Sequence, residues 1–352
     1  MEIRSLKDTS FDELFDAFER AFADYEVQID KEEHRKMLRR RGFDPALSFA
    51  AFDGGRIVSF TCNGVGNFCG ASCGAGTGSG AGSGAGSGAG CGTGNFQGIN
   101  DFRETPTAYD TGTGTLAEYR GQGLATKVFE HSVPFLKRAG IGQYLLEVLQ
   151  HNAAAVSVYR NVGFEVTREF FYSRADNGRV ENSLMKRGSA ENGRVKISGA
   201  GKNRYVELRP LEIGALMAKM GEVRQFWDFC PSWQNSAESI GRATGDFIGL
   251  GAFATAATET GTETENGTAA DQKLVGYCVF EPSSGDVTQI AVDGEFRRRG
   301  IGSALLLKAM EANRRDAIKV INTQIGCESM AAFLAACGIE PAGKQFEMIK
   351  TL

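Results

Sequence analysis

The sequence predicts an α/β (α+β) protein made of two fused domains, each a mixed central sheet flanked by helices. Three observations lead there. The chain has 352 residues, and a domain typically takes about 100–200. Strand-like and helix-like apolar patterns are interleaved along it, as expected for sheet domains covered by helices. One strand–turn–helix pattern occurs twice, as TGTGTLAEYRGQGLATKVF at 111–129 and TQIAVDGEFRRRGIGSALL at 288–306. At an offset of 177, Thr111 meets Thr288, Glu118 meets Glu295, Arg120 meets Arg297 and Gly123 meets Gly300. Two copies imply a tandem duplication.

In order along the chain, Ser10 and Glu13 form a capping box, and Phe11, Leu14, Phe15, Phe18 and Phe22 follow at helical spacing. Strands are expected at 47–52 and 56–61, joined by the Asp53-Gly54-Gly55 turn. Residues 64–98 hold 15 of the 46 glycines, mostly in Gly-Ala and Gly-Ser alternation. A single tract of this kind buries too little apolar surface to offset its ordering entropy. It reads as a flexible insertion in a hairpin between strands at 56–60 and 105–109. A strand at 107–116, a helix at 123–138, an apolar strand at 144–150, a helix at 153–162 and a strand at 164–172 follow. Pro134 is expected to kink its helix. Residues 187–204 are poor in large apolar side chains and read as a linker between domains at 1–186 and 205–352. In the second domain, strands at 247–253 and 274–280 flank a polar insertion at 256–272.

Composition narrows the function. Thirty-nine basic against 43 acidic residues leave a formal charge of −4, which argues against nucleic-acid binding. Arg39-Arg40-Arg41 then reads as a solvated helix face and Arg297-Arg298-Arg299 as part of the repeated loop. No apolar run approaches the ~18 residues of a membrane helix. The first residues lack a signal-peptide core, so a cytoplasmic protein off the membrane is expected. The eight cysteines include no CxxC pair, and His34, His131 and His151 stand at unrelated spacings. No metal is expected, and Cys69, Cys73 and Cys91 read as unpaired thiols in the glycine-rich loop. Monomer and homodimer are both open.

The repeated Arg-x-x-Gly-x-Gly/Ala sits between a strand and a helix. Unpaired N–H groups and the helix dipole favour an anion there, and glycine lets a phosphate approach the backbone. It is not a Walker loop, since no Gly-Lys-Ser/Thr follows. Nor is it a dinucleotide fingerprint, because Gly112-Thr113-Gly114 lies within the preceding strand.

Arg120-Gly121-Gln122-Gly123-Leu124-Ala125 and Arg297-Arg298-Arg299-Gly300-Ile301-Gly302 resemble the pyrophosphate signature of the GCN5-related N-acetyltransferase (GNAT) superfamily. Leu146-Glu147-Val148, Asn152-Ala153-Ala154-Ala155, Tyr159 and Gly163-Phe164 extend the resemblance and are similar to the branch that acetylates protein N-termini. The resemblance implies a largely antiparallel sheet in each half, splayed between its fourth and fifth strands, with acetyl-CoA as co-substrate in the gap. It places the coenzyme arm along Thr113, Gly114 and Thr115, and along Ile290, Ala291 and Val292. The diphosphate falls on backbone from Gly121 and Gln122 through Gly123, Leu124 and Ala125 to Thr126. In the second half it falls on Arg298, Arg299, Gly300, Ile301, Gly302 and Ser303. Asn152 would contact the arm.

The reaction needs a base for the protonated amine and an acid for the leaving thiolate. Glu147 lies in the apolar run Tyr-Leu-Leu-Glu-Val-Leu, where desolvation raises a carboxyl pKa. It is the candidate base. Tyr159 is the acid the resemblance implies, and amide N–H groups of the fourth strand would stabilise the oxyanion. In the second half Asn322 falls where Glu147 does, Cys327 where Asn152 does and Leu334 where Tyr159 does. The expected function is therefore direct acetyl transfer to a primary amine, of a small molecule or a peptide, in the N-terminal domain. The alternatives are a silent acyl-CoA-binding sensor and activity in the C-terminal domain.

Overall fold

The computed structural model describes residues 1–24, 28–69, 104–185, 193–197, 204–255 and 272–352. The N-terminal half contains β1 (Glu2–Ser5), α1 (Phe11–Ala21), α2 (Lys31–Arg41), β2 (Phe49–Asp53), β3 (Arg56–Cys69), β4 (Glu104–Thr115), α3 (Leu124–Arg138), β5 (Gln143–Leu149), α4 (Ala153–Asn161), β6 (Glu165–Asp176) and α5 (Asn177–Met185). The C-terminal half contains β7 (Arg194–Ile197), β8 (Arg204–Pro210), α6 (Ile213–Ala218), α7 (Met220–Val223), α8 (Ala237–Gly241), β9 (Ile248–Thr255), β10 (Gln272–Glu281), β11 (Asp286–Val292), α9 (Ile301–Met310), β12 (Ala317–Gln324), α10 (Glu328–Ala336) and β13 (Pro341–Thr351).

Local chemistry explains the helix starts. Ser10 and Glu13 cap α1 reciprocally, as the sequence predicts. Asp30 and Glu33 do the same for α2, which ends at left-handed Gly42. The α3 helix runs through Pro134 without ending there.

The strands of the described residues form one sheet, ordered β1-β2-β3-β4-β5-β13-β6-β12-β11-β10-β9-β8-β7. Most neighbours are antiparallel. The β4·β5 pair is parallel over Thr107–Tyr109 only, and β11·β12 is parallel only at Asp286↔Lys319. Beyond those points each pair splays. The last strand of each half lies in the other half: β13 pairs with β5, and β6 pairs with β12. Each half has its own core beneath its helices, with Phe49, Phe60, Leu124 and Val128 in one cluster and Ile301, Leu305, Val275 and Phe280 in the other. Both faces of β10 are covered, since Leu274, Tyr277 and Val279 lie in a further cluster.

Several expected boundaries differ, and β6, expected to end at 172, runs on to Asp176. The strand expected to end at 61 continues as β3 to Cys69, because Phe68 buries its ring against Trp233 at 5.9 Å. Four residues of the expected linker form β7 on the edge of β8, anchored by buried Val195. Gln272, placed in the polar insertion, opens β10. The bodies of the two insertions, 70–98 and 256–271, lie outside the described residues, as do Cys73 and Cys91. Among the described residues no helix is long and apolar enough to cross a membrane, and no group of three or more His, Cys, Asp or Glu could hold a metal ion.

Candidate active site

The repeated loops are built alike. Gly123 precedes α3 at φ +70° and Gly300 precedes α9 at φ +82°. Two residues earlier, Gly121 (φ +78°) and Arg298 (φ +61°) take the same left-handed conformation. Nothing lies within 4 Å of where a Cβ would sit on Gly121 or Gly123. The first N–H groups of α3 and α9 have no intrahelical acceptor, so the loops suit a phosphate.

The signature arginines hold the fold together around these loops. Arg120 donates to Thr115 O (3.2 Å), Ala21 O (2.8 Å) and Asp24 Oδ2 (2.6 Å). Arg297 donates to Val292 O (2.9 Å), Phe226 O (2.7 Å) and Asp228 Oδ1. Each guanidinium thus ties the end of a gap-lining strand to the helical layer above it. Arg299 and Gln122 are exposed.

In the N-terminal half, Thr113, Gly114 and Thr115 pair with Thr61, Phe60 and Ser59 of β3. Their other edge faces the gap, because β5 has already diverged. Gly114 is required by packing: a Cβ there would meet Phe60 at 2.6 Å. Asn152 caps α4, accepting from Ala155 N at 3.1 Å.

Alternation along β5 splits the site between two faces. Leu146 and Val148 pack with Phe129 and Phe164. Leu145 lies with Tyr109 and Trp233, whose rings stack at 5.2 Å and 3°. Glu147 is on that second side. Its Oε2 accepts from Gln234 Nε2 (2.5 Å) and Asn322 Nδ2 (2.8 Å), both from the C-terminal half. Its Oε1 is buried and has no hydrogen-bond partner. Burial raises the Glu147 pKa; the two amide donors and Arg41 oppose this, and Glu347, directly across on β13, adds to it.

Tyr159 approaches from α4 and donates to Asp110 Oδ2 at 3.1 Å. Burial also raises the Asp110 pKa, against donation from Thr113, Tyr159 and the Gly112 N–H. Glu147 itself pushes up the pKa of Tyr109, the residue before Asp110, whose burial is the larger cause. The candidate base and acid therefore act on consecutive β4 residues, whose side chains lie on opposite faces of the sheet, so the two approach the gap between β4 and β5 from opposite sides. Sequence reasoning missed Asp110, Gln234 and the contact of Asn322 with Glu147. No local motif marks them, because each matters through a contact across the fold.

In the C-terminal half, every expected coenzyme position except Arg299 lines one cavity of about 420 Å³, from Ile290, Ala291 and Val292 to Gly300, Ile301, Gly302 and Ser303. Ser329 and Phe333 of α10 contribute to the opposite wall. A cavity of about 50 Å³ continues toward Asn322 and Tyr277. Leu334, which stands where Tyr159 does, is buried in the core and has no proton to give, and Cys327 precedes α10 without the side-chain cap that Asn152 makes on α4.

Residues 11–164 match the model of the Acetyltransferase (GNAT) family, and residues 265–338 match an Acetyltransferase (GNAT) domain. A stretch of 69 residues is 35% identical to the [Ribosomal protein bS18]-alanine N-acetyltransferase of Escherichia coli K12, covering 19% of this chain and 47% of that protein. Another of 49 residues is 45% identical to N-alpha-acetyltransferase 30 of Schizosaccharomyces pombe, covering 14% and 33%. The chain thus spans half or less of the length of these curated relatives. Among solved structures, a tandem GNAT protein from the clavulanic acid biosynthesis pathway superposes over 99% of this chain and 98% of its own, with a TM-score of 0.61 at 13% identity. A GCN5-related N-acetyltransferase from Sphaerobacter thermophilus covers 99% and 95%, with a TM-score of 0.58 at 11% identity.

Proposed function

Because the chain belongs to the GNAT superfamily as a tandem member, we propose that it transfers the acetyl group of acetyl-CoA directly to a primary amine, with the chemistry in the N-terminal half. The observation that carries this is Glu147: a buried carboxylate of raised pKa, with both amide donors on Oε2 and the Tyr109 hydroxyl nearby, in the half that also holds Tyr159. The diphosphate would lie on the N–H groups from Gly121 to Thr126, and the arm along Thr113–Thr115. Glu147 Oε1 takes a proton from the ammonium, and the freed amine attacks the thioester carbonyl. The tetrahedral oxyanion collapses, the C–S bond breaks, and Tyr159 gives its phenolic proton to the sulfur. The extra proton still on the attacking nitrogen passes to the Tyr159 phenolate, leaving a neutral amide and Glu147 to release its proton to solvent. A buried carboxylate of raised basicity suits this work near neutral pH. The protein is expected to act in the cytoplasm.

The acceptor is a primary amine, and the names of the curated relatives put peptide N-termini first in any panel. CoA release is to be measured with an alanine-terminated peptide, a lysine peptide, a polyamine and an aminoglycoside. Turnover on one of them, lowered about 10²–10⁴-fold by Glu147→Gln and by Tyr159→Phe, is expected. Undiminished turnover in both variants would refute this assignment.

The cavity beside Gly300 favours a second reading, in which the C-terminal half also binds an acyl-CoA. Coenzyme binding without turnover on any amine would support a silent sensor instead.

A further inference from the structure

We propose that Asn322 and Gln234, both from the C-terminal half, are positioning residues for Glu147. The degenerate half then aims the base that the other half uses. This rests on the proposed role of Glu147. Asn322 stands at the position in its own half that Glu147 holds in the other, and the two side chains meet through the 2.8 Å bond from Nδ2 to Oε2. Sequence alone marks Asn322 as a lost base.

The geometry leaves these amides little freedom. Asn322 is 1% exposed and sits at φ +61°, a conformation that Asn tolerates better than most residues. Its Nδ2 also donates to Ser232 Oγ (2.6 Å), and its Oδ1 accepts from Gln345 Nε2. Gln234 Oε1 accepts from Arg41 Nη2 at 2.6 Å, which turns its Nε2 toward Glu147. Both donors meet the same oxygen. Holding Oε2 fixes the plane of the carboxylate and leaves Oε1 to receive the proton.

The same bonds set basicity, because donors to a carboxylate favour its charged form. The other groups facing Glu147 are Glu347 on β13, Arg41 on α2, Tyr109 on β4, and Arg168 on β6, which is paired with Glu347. Glu347 raises the Glu147 pKa and Arg41 lowers it. Removing an amide donor shifts the balance upward.

The test uses the full chain and two readouts: carbon-13 NMR titration of the Glu147 carboxyl, identified by its loss in Glu147→Gln, and the acidic limb of kcat/KM with acetyl-CoA and the best panel amine. Asn322→Gly keeps the left-handed backbone and removes the donor. Gln234→Met removes the other donor at similar volume. Each variant is expected to raise both the carboxyl pKa and the acidic limb by about one unit, with activity recovering above the new limb. Asn322→Asp, a second carboxylate at the same place, should raise them further. A limb that stays in place in these variants, whether or not the carboxyl titration moves, overturns the proposal. Unchanged turnover in Glu147→Gln would instead sink the role of Glu147 itself.

Discussion

Tyr159 donates its phenolic hydrogen to Asp110 Oδ2 across 3.1 Å, and Thr113 Oγ1 donates to the same oxygen at 2.9 Å. Near the pair lie Tyr144 on β5, Cys62 on β3 and Arg41 on α2. A carboxylate beside a phenol disfavours the phenolate, so Asp110 keeps the candidate acid loaded at high pH. Asp110→Asn should move the alkaline limb of kcat to lower pH by about one unit or more. Tyr159→Phe should remove that limb while the ring keeps its edge contact with Phe164 at 5.6 Å. An alkaline limb unchanged in Asp110→Asn would show that Asp110 does not govern Tyr159.

The strand exchange is pinned by Arg168 of β6 and Glu347 of β13, joined at 2.6 Å and nearly excluded from solvent. Arg168 also donates to Cys230 O at 2.6 Å. Glu347→Ala strands a buried guanidinium and should cost about 3–5 kcal/mol, read as a lower urea midpoint. Restoring an apolar pair with Arg168→Met and Glu347→Leu should recover most of the loss.

His34 is fully buried among Phe11, Phe15 and Phe18, and neither ring nitrogen has a hydrogen-bond partner. Burial, helped by Arg41, pushes its pKa down to about 4. The unfolded chain therefore binds the proton first as pH falls from 6.5 to about 4, and stability is lost over that window. His34→Leu should abolish this component. Its stability relative to wild type should improve by roughly 2 kcal/mol between about pH 7 and pH 4.5. Parallel pH dependence in the two proteins would contradict the buried neutral imidazole.

What the sequence reveals is local. The Ser10–Glu13 box, the left-handed glycines at 123 and 300, and the strand bearing Glu147 are fixed by residues within a few positions of one another. The exchange of β6 and β13 is not written locally, because either strand's pattern would suit either half of the sheet. Phe68 looks like part of a glycine-rich loop until Trp233 supplies a surface for it. Asn322 reads as a lost carboxylate, whereas in the fold its amide serves the carboxylate of the other half. The signature arginines, chosen for phosphate, are engaged by Asp24 and Asp228.

The central claim is that the coenzyme that reacts lies beside Gly123 and not beside Gly300. Calorimetric titration of acetyl-CoA into wild type, Gly123→Val and Gly300→Val, with CoA release measured on the same samples, tests it most directly. A branched side chain at φ +70° or +82° is strained and blocks approach of a phosphate. The account predicts that turnover disappears in Gly123→Val and survives in Gly300→Val. Turnover lost only in Gly300→Val would place the chemistry in the C-terminal half and contradict it.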